Sequence, residues 1–141
     1  MSLPPVKPER SHWRDLSLND LHRKWGWNCP ATDIDFIEYD DGRAVAVFEY
    51  KHESAAPAYP SAANVRALVD LCTRAGVPVF GVRYANDKTW WRVKPLNRFA
   101  AKWVPAEPAV MSQREFVTLL YKIRGRSLPT GLSLPDWPGA S

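Results

Sequence analysis

ATDIDFIEYDDGRAVAVFEYKH, residues 31 to 52, decides how the chain folds. β-Branched and aromatic residues alternate with polar ones on either side of Asp40-Asp41-Gly42, the pattern of two strands joined by a tight turn. Side chains on a strand point alternately to its two faces, so parity sorts them. The odd set of the first strand is Asp33, Asp35, Ile37 and Tyr39, and the even set is Ile34, Phe36 and Glu38. The second strand has Val45, Val47, Glu49 and Lys51 as its odd set, with Ala46, Phe48 and Tyr50 as the even one. A three-residue loop Asp40-Asp41-Gly42, with the glycine left-handed, pairs Tyr39 with Arg43 and sets odd against odd. A two-residue Asp41-Gly42 turn would put Asp35 against Phe48 and Ile34 against Glu49, mixing charged and apolar groups on both faces, so the three-residue loop is predicted. One face of the hairpin is then apolar apart from Glu38. The other is apolar near the turn and carries Asp33, Asp35, Glu49 and Lys51 at its far end.

Working outward, SLNDLHRKWG before the hairpin has a Ser17-x-x-Asp20 capping pair, apolar Leu18, Leu21 and Trp25, and Gly26 as a stop, which predicts a short amphipathic helix. After the hairpin, SAANVRALVDLCTRAG sets Val65, Leu68, Val69 and Cys72 on one stripe before Gly76, a second helix. VPVFGVRY and TWWRVKPL read as two strands across the turn-like Ala85-Asn86-Asp87-Lys88. A last helix opens at the capping box Ser112-Gln113-Arg114-Glu115, buries Phe116, Leu119, Leu120 and Ile123, and stops at Gly125. Residues 1–10 and 127–141, rich in proline with charge or with glycine and serine, read as flexible arms around one domain at 11–126. A helix crossing over between the hairpin and the next strand lays that strand parallel to a hairpin strand. The fold class expected is therefore α/β, with a mixed four-stranded central sheet flanked by helices.

The far-end patch carries the chemistry. Carboxylates facing each other on neighbouring strands have Cβ atoms about 5 Å apart and repel unless a cation lies between them. A hard divalent ion with oxygen ligands fits, and magnesium would keep several waters besides. Taken singly, Lys51 reads as the ion-pair partner of Glu49, and Asp33 and Asp35 as turn or edge residues. The convergence of all four on one face favours a site.

An acidic residue on one strand, a hairpin, and then Glu49-Tyr50-Lys51 as an ExK at the end of the next strand, with a helix before and a helix and strands after, resembles the PD-(D/E)xK nuclease superfamily. The resemblance covers about residues 17–95, though the motif itself is three or four residues. It implies a restriction-endonuclease-like core hydrolysing phosphodiester bonds in DNA with Mg²⁺ or Mn²⁺. It also implies a carboxylate ligand from Asp33 or Asp35, a second from Glu49, the backbone carbonyl of Tyr50 as a third, and Lys51 as the catalytic lysine. Pro30 departs from the pattern by lying three residues before Asp33. The turn geometry sets Asp33 opposite Glu49, whereas a bulge, or a loop longer by one residue on each side, would bring Asp35 there. Asp35 is favoured as the main ligand because it leads straight into the apolar Phe36-Ile37 strand, as the acid of that superfamily usually does, leaving Asp33 an outer or second-metal role. Cutting two strands calls for two sites, so a homodimer or a partner protein is compatible with the resemblance. A nuclease fold without activity, kept as a nucleic-acid-binding or protein-interaction module, is the rival reading.

Remaining features bound the setting. At 141 residues, 45% hydrophobic and 24% charged, the composition is that of a folded chain. The net charge of +4 is modest for a nucleic-acid binder, but it gathers at His22-Arg23-Lys24 and Lys122-Ile123-Arg124-Gly125-Arg126. Arg23, Lys24, Arg66, Arg83, Arg92 and Lys94 are candidate phosphate contacts, which would position a nucleic acid without reading its sequence. Trp25, Trp27 and the Trp90-Trp91 pair have the chemistry to stack on bases, although Trp25 and one of Trp90 and Trp91 fit the core better. His52 and Glu53 reach the patch only if the loop HESAAPAYP folds over it, and they read as solvated. His12, His22 and His52 lack metal-ligand spacing, and Cys29 and Cys72 form neither a CxxC pair nor a disulfide framework. Asp33-Ile34-Asp35 also matches the DxD of nucleotide-sugar transferases, a poor reading in a chain too short for a nucleotide domain and an acceptor site. No segment reads as a signal peptide or membrane span, so a cytoplasmic protein with no membrane partner is expected.

Overall fold

The computed structural model describes residues 16–55 and 62–136. The predicted arm at 1–10, His12 and the last five residues of the predicted tail, 137–141, lie outside them. The chain divides into two units, Met1–Asp33 and Ile34–Ser141. In the first, helix α1 (Leu16–Arg23) begins one residue ahead of Ser17, the predicted cap, so Ser17 and Asp20 lie inside it. Gly26 follows at φ 113°, in the left-handed region that a stop requires. Trp25, expected in a core, is 53% exposed and rests against the His22 ring with centroids 5.0 Å apart.

The second unit is built on a sheet ordered β1-β2-β3-β4-β5: β1 (Phe36–Asp40), β2 (Arg43–His52), β3 (Val79–Tyr84), β4 (Trp91–Pro95) and β5 (Val110–Met111). Helix α2 (Ala63–Ala75) makes the crossover from β2 to β3, and those two strands pair in parallel as the crossover rule predicts. All other pairs are antiparallel. The sheet is mixed as expected but has five strands, not four. The extra strand, β5, is two residues long, too short for any periodicity to announce it.

Parity places the two cores. Even residues of β2, Ala46 and Phe48, pack with Phe80, Val82, Trp91 and Val93 against Phe116 and Leu119 of helix α3 (Gln113–Ile123). Val47, on the odd face, packs with Val79 against Leu68 and Cys72 of α2. Helices thus cover both faces. The Ser112 box is present in full: its hydroxyl accepts from the Glu115 N–H at 3.1 Å, and the Glu115 carboxylate accepts from the Ser112 N–H at 3.0 Å. Gly76, at φ 72°, ends α2 in the left-handed conformation.

The hairpin turn differs from the three-residue loop predicted. Asp41 (φ 50°) and Gly42 (φ 76°) form a two-residue turn, with Asp40 opposite Arg43 and Tyr39 opposite Ala44. Positive φ at both central residues suits the natural strand twist, and Asp tolerates it better than most side chains. The register then shifts between Glu38 and Tyr39: Glu38 faces Ala46, Ile37 faces Val47 and Phe36 faces Phe48, leaving Val45 as an extra residue. That bulge restores odd against odd without the longer loop. It removes the objection to the short turn, because like faces like along the rest of the hairpin.

Two arginines from the basic run near the C-terminus hold β1 in place. Arg124 reaches Glu38 Oε1 at 2.9 Å and also donates to the carbonyls of Tyr39 and Leu120. Arg126 bonds both carboxylate oxygens of Asp40. These two guanidiniums, part of the basic run at 122–126, thus join the end of α3 to the edge strand. The segment after them, predicted as part of a flexible arm, is tied at two points: Arg114 N–H donates to Pro135 O at 2.9 Å, and Ser112 Oγ to Asp136 Oδ1 at 3.4 Å.

Burial first, and then the carboxylates of Glu38 and Asp35, push the Tyr50 phenol well above the ordinary tyrosine range. The folded state keeps this proton where the unfolded chain releases it. Its contribution to stability is therefore full below about pH 10 and is lost as pH rises through the folded value. Tyr50→Phe is expected to flatten the fall in Tm above about pH 10. An alkaline slope unchanged in that variant would remove Tyr50 as its cause.

Candidate active site on the α2 face of the sheet

Beyond Val47 the odd face of β2 runs on to Glu49 and Lys51, past the cover of α2. The strand register builds two cross-sheet rows there. Glu49 lies beside Gly81, which lies beside Lys94; Lys51 lies beside Arg83, which lies beside Arg92. These six residues, with Val65 of α2, Leu96 and Pro108, line a cleft of about 270 Å³. Among the described residues lining it, Glu49 is the sole carboxylate, set among four cationic side chains. Gly81 puts no side chain in the middle of the first row, and the side chain of Leu96 packs over that position instead.

Lys51 Nζ stands 3.7 Å from Glu49 Oε1, with side-chain exposures of 39% and 17%. So exposed a pair contributes little to stability. Its position at the mouth of the cleft is what recommends it. Arg83 donates to the carbonyls of Glu53 at 2.7 Å and Ala55 at 2.8 Å. Its guanidinium thus anchors the chain leaving β2. Arg92, one of the residues lining the cleft, lies 5.3 Å from the centre of the Trp90 ring, a cation–π contact. Of the tryptophan pair, Trp91 is buried and Trp90 is not.

The aspartates part company. Continued one residue past the Phe36–Phe48 pair, the bulged register brings Asp35, not Asp33, alongside Glu49. This corrects the placement of Asp33 drawn from a three-residue loop. Asp35 Oδ2 accepts from the Tyr50 N–H at 2.9 Å, which holds the carboxylate at the β2 backbone. Asp33 belongs to the first unit. Among the described residues no group of three or more His, Cys, Asp or Glu side chains converges as a metal site. The donor chemistry still suits magnesium, which takes one or two carboxylates and completes its shell with water and phosphate oxygens. Glu49 and Asp35 are the two carboxylates, and the carbonyl of Tyr50, between Glu49 and Lys51 in the chain, is a further hard oxygen.

His52 does not join the cleft. Its ring bonds Ser54 Oγ at 2.6 Å and Asn86 Oδ1 at 2.9 Å and packs edge-on against Tyr84. Glu53 is exposed, as is Arg66 on α2. Arg23 and Lys24 belong to the first unit. Cys72 is buried and burial pushes its thiol up, so it is no ready nucleophile. Sequence reasoning missed Gly81, Val65, Leu96 and Pro108 as the cleft's floor and walls. For Gly81 a signal existed, since a lone glycine inside a strand pattern marks a close approach or a gap. The chain matches no protein-family model, no curated protein and no solved structure.

Proposed function

We propose that the chain is a magnesium-dependent nuclease of the PD-(D/E)xK type, with a restriction-endonuclease-like core, hydrolysing phosphodiester bonds in DNA. One observation carries this reading: Glu49 and Lys51, two residues apart, share a cleft whose remaining charged lining is Arg83, Arg92 and Lys94. Metal-assisted hydrolysis of a phosphate diester needs a carboxylate to hold the metal and cations to receive the diester, and this cleft is lined by both. Asp35 and Glu49 are the residues that would hold the metal, which supplies charge neutralisation and a more acidic water when bound. Arg92 and Lys94 draw the diester in and offset the charge on its nonbridging oxygens. Lys51 presents its amino group to the oxygen on which charge develops or to the attacking water. Arg83, engaged with two carbonyls, positions the loop after β2 and touches phosphate least.

The test is to incubate supercoiled, linear and single-stranded DNA, with RNA alongside, in Mg²⁺, Mn²⁺ or EDTA. Cleavage of DNA in either metal and none in EDTA is expected. Absence of cleavage in every condition sinks the proposal, and DNA binding that survives chelation in that case favours a non-catalytic binding module. Gly81 offers a check on the cleft itself. A Cβ there would meet Leu96 side-chain atoms at 3.5 Å, ordinary contact, so Gly81→Ala is expected to fold with its Tm nearly unchanged. Gly81→Leu must push the Leu96 side chain aside into the cleft, and loss of cleavage by about tenfold or more, with the circular dichroism spectrum of the parent kept, is expected of it. Undiminished cleavage by Gly81→Leu places the substrate elsewhere.

A further inference from the structure

On the face of the sheet opposite the Glu49–Lys51 cleft lies a second pocket of about 270 Å³, lined by Phe36, Tyr50, Tyr84, Lys88, Trp91 and Phe116. We propose that this pocket takes an unstacked base of a single-stranded nucleic acid, with Lys88 meeting a phosphate of the same strand. The nature of the polymer rests on the nuclease reading above.

The walls are five aromatic rings. Phe36 meets Tyr50 edge-on at 5.0 Å, Tyr50 meets Tyr84 edge-on at 6.2 Å, and Trp91 stacks on Phe116 at 5.6 Å. A ring serving only the core would be covered, yet Phe36 is 57% exposed at the rim. The single charge in this lining is cationic. Lys88 Nζ sits 5.2 Å from the centre of the Tyr84 ring and donates to the Asn86 carbonyl at 2.8 Å. Lys88 also has φ 64°, a backbone conformation in which glycine or asparagine is unstrained and lysine is not. The chain therefore keeps a lysine where the turn itself prefers another residue. Flat rings with one ammonium at the edge suit a flat ligand carrying negative charge, which a nucleotide is and an alkyl chain is not.

Position joins the two sites. Tyr50 stands between Glu49 and Lys51 in β2, and Tyr84 and Trp91 are cross-strand partners one row beyond Val82 and Val93. The pocket lies directly behind the cleft at the same end of the sheet. A strand passing over that end can set a phosphate on one face and a base on the other, which only an unpaired nucleotide can do.

Binding of a fluorescent ten-nucleotide oligothymidylate and of an abasic deoxyribose-phosphate strand of equal length, measured in EDTA, tests this. The parent protein is expected to bind oligothymidylate about tenfold tighter than the abasic strand. Phe36→Ala should lose most of that preference, whereas Lys88→Gly should weaken binding of both strands by a similar factor, with Tm held in the first and held or raised in the second. Lys102→Ala, which removes an exposed lysine outside the pocket, should bind as the parent does. Equal binding of the two strands by the parent, an undiminished preference in Phe36→Ala, or an undiminished affinity in Lys88→Gly overturns the inference. Because no metal is present, a protein that never cleaves DNA but discriminates in this way refutes the nuclease reading alone. A protein that cleaves but does not discriminate refutes the pocket alone.

Discussion

Glu49→Gln is expected to lower metal-dependent DNA cleavage by about a thousandfold, and Lys51→Met by a comparable factor, for different reasons. Glutamine keeps the shape of Glu49 but removes the negative charge on which a hard cation depends, so Mn²⁺ binding measured by electron paramagnetic resonance should weaken in parallel. Methionine keeps the apolar stem of Lys51 and removes the amino group. With Lys51 gone, Glu49 loses its ion-pair partner at 3.7 Å, so Mn²⁺ binding should be kept or tightened while turnover falls. This split between binding and turnover is the informative result. Neither variant should unfold the protein, because the pair is long at 3.7 Å and its lysine is more than a third exposed. Cleavage undiminished in both would mean that the cleft is not where the bond breaks. Loss of metal binding in Lys51→Met would assign the lysine a structural duty instead.

Phe48→Ala is expected to cost about 3–5 kcal/mol of folding stability. Phe48 is 0% exposed and lies at the junction of the larger core, with its ring stacked on Phe80 at 4.7 Å and edge-on to Phe116 at 5.9 Å. Removing it leaves a cavity beneath α3, and rigid strands on both sides limit how far that cavity can collapse. Domains of this size are stable by only about 5–15 kcal/mol, so urea denaturation should show a variant close to the edge of folding. Phe36→Ala, on the exposed rim of the edge strand, should cost about 1 kcal/mol or less. Similar losses in the two variants would contradict the burial difference between these phenylalanines. The two predictions are linked through one strand. Phe48 and Tyr50 hold β2 down, and the same strand carries Glu49 and Lys51 into the cleft.

The sequence made α2, α3 and the hairpin legible because their signals are local. Val65, Leu68 and Cys72 recur at helical spacing, Ser112 and Glu115 cap each other across a single turn, and Gly76 ends α2 where only a left-handed residue fits. The separation of Phe48 and Tyr50 from Glu49 and Lys51 onto opposite faces was equally legible, since it follows from the period-two geometry of any strand. Other features were hidden. The β5 strand is two residues long, and the capping pair at Ser17 was outcompeted by a helix that starts at Leu16. Arg124 and Arg126 read only as part of a basic run, because nothing in a sequence shows that Glu38 and Asp40 lie within their reach.

What the sequence by itself determined is therefore the face on which Glu49 and Lys51 stand and the helix that crosses over from β2 to β3, both dictated by backbone periodicity and local steric preference. Which aspartate comes beside Glu49, and that Lys94 and Arg92 join it from two strands away, was decided only by the tertiary structure. Strand register depends on how two chains pair along their whole length, and the extra residue at Val45 moves every partner beyond it by one. No run of residues read alone carries that information.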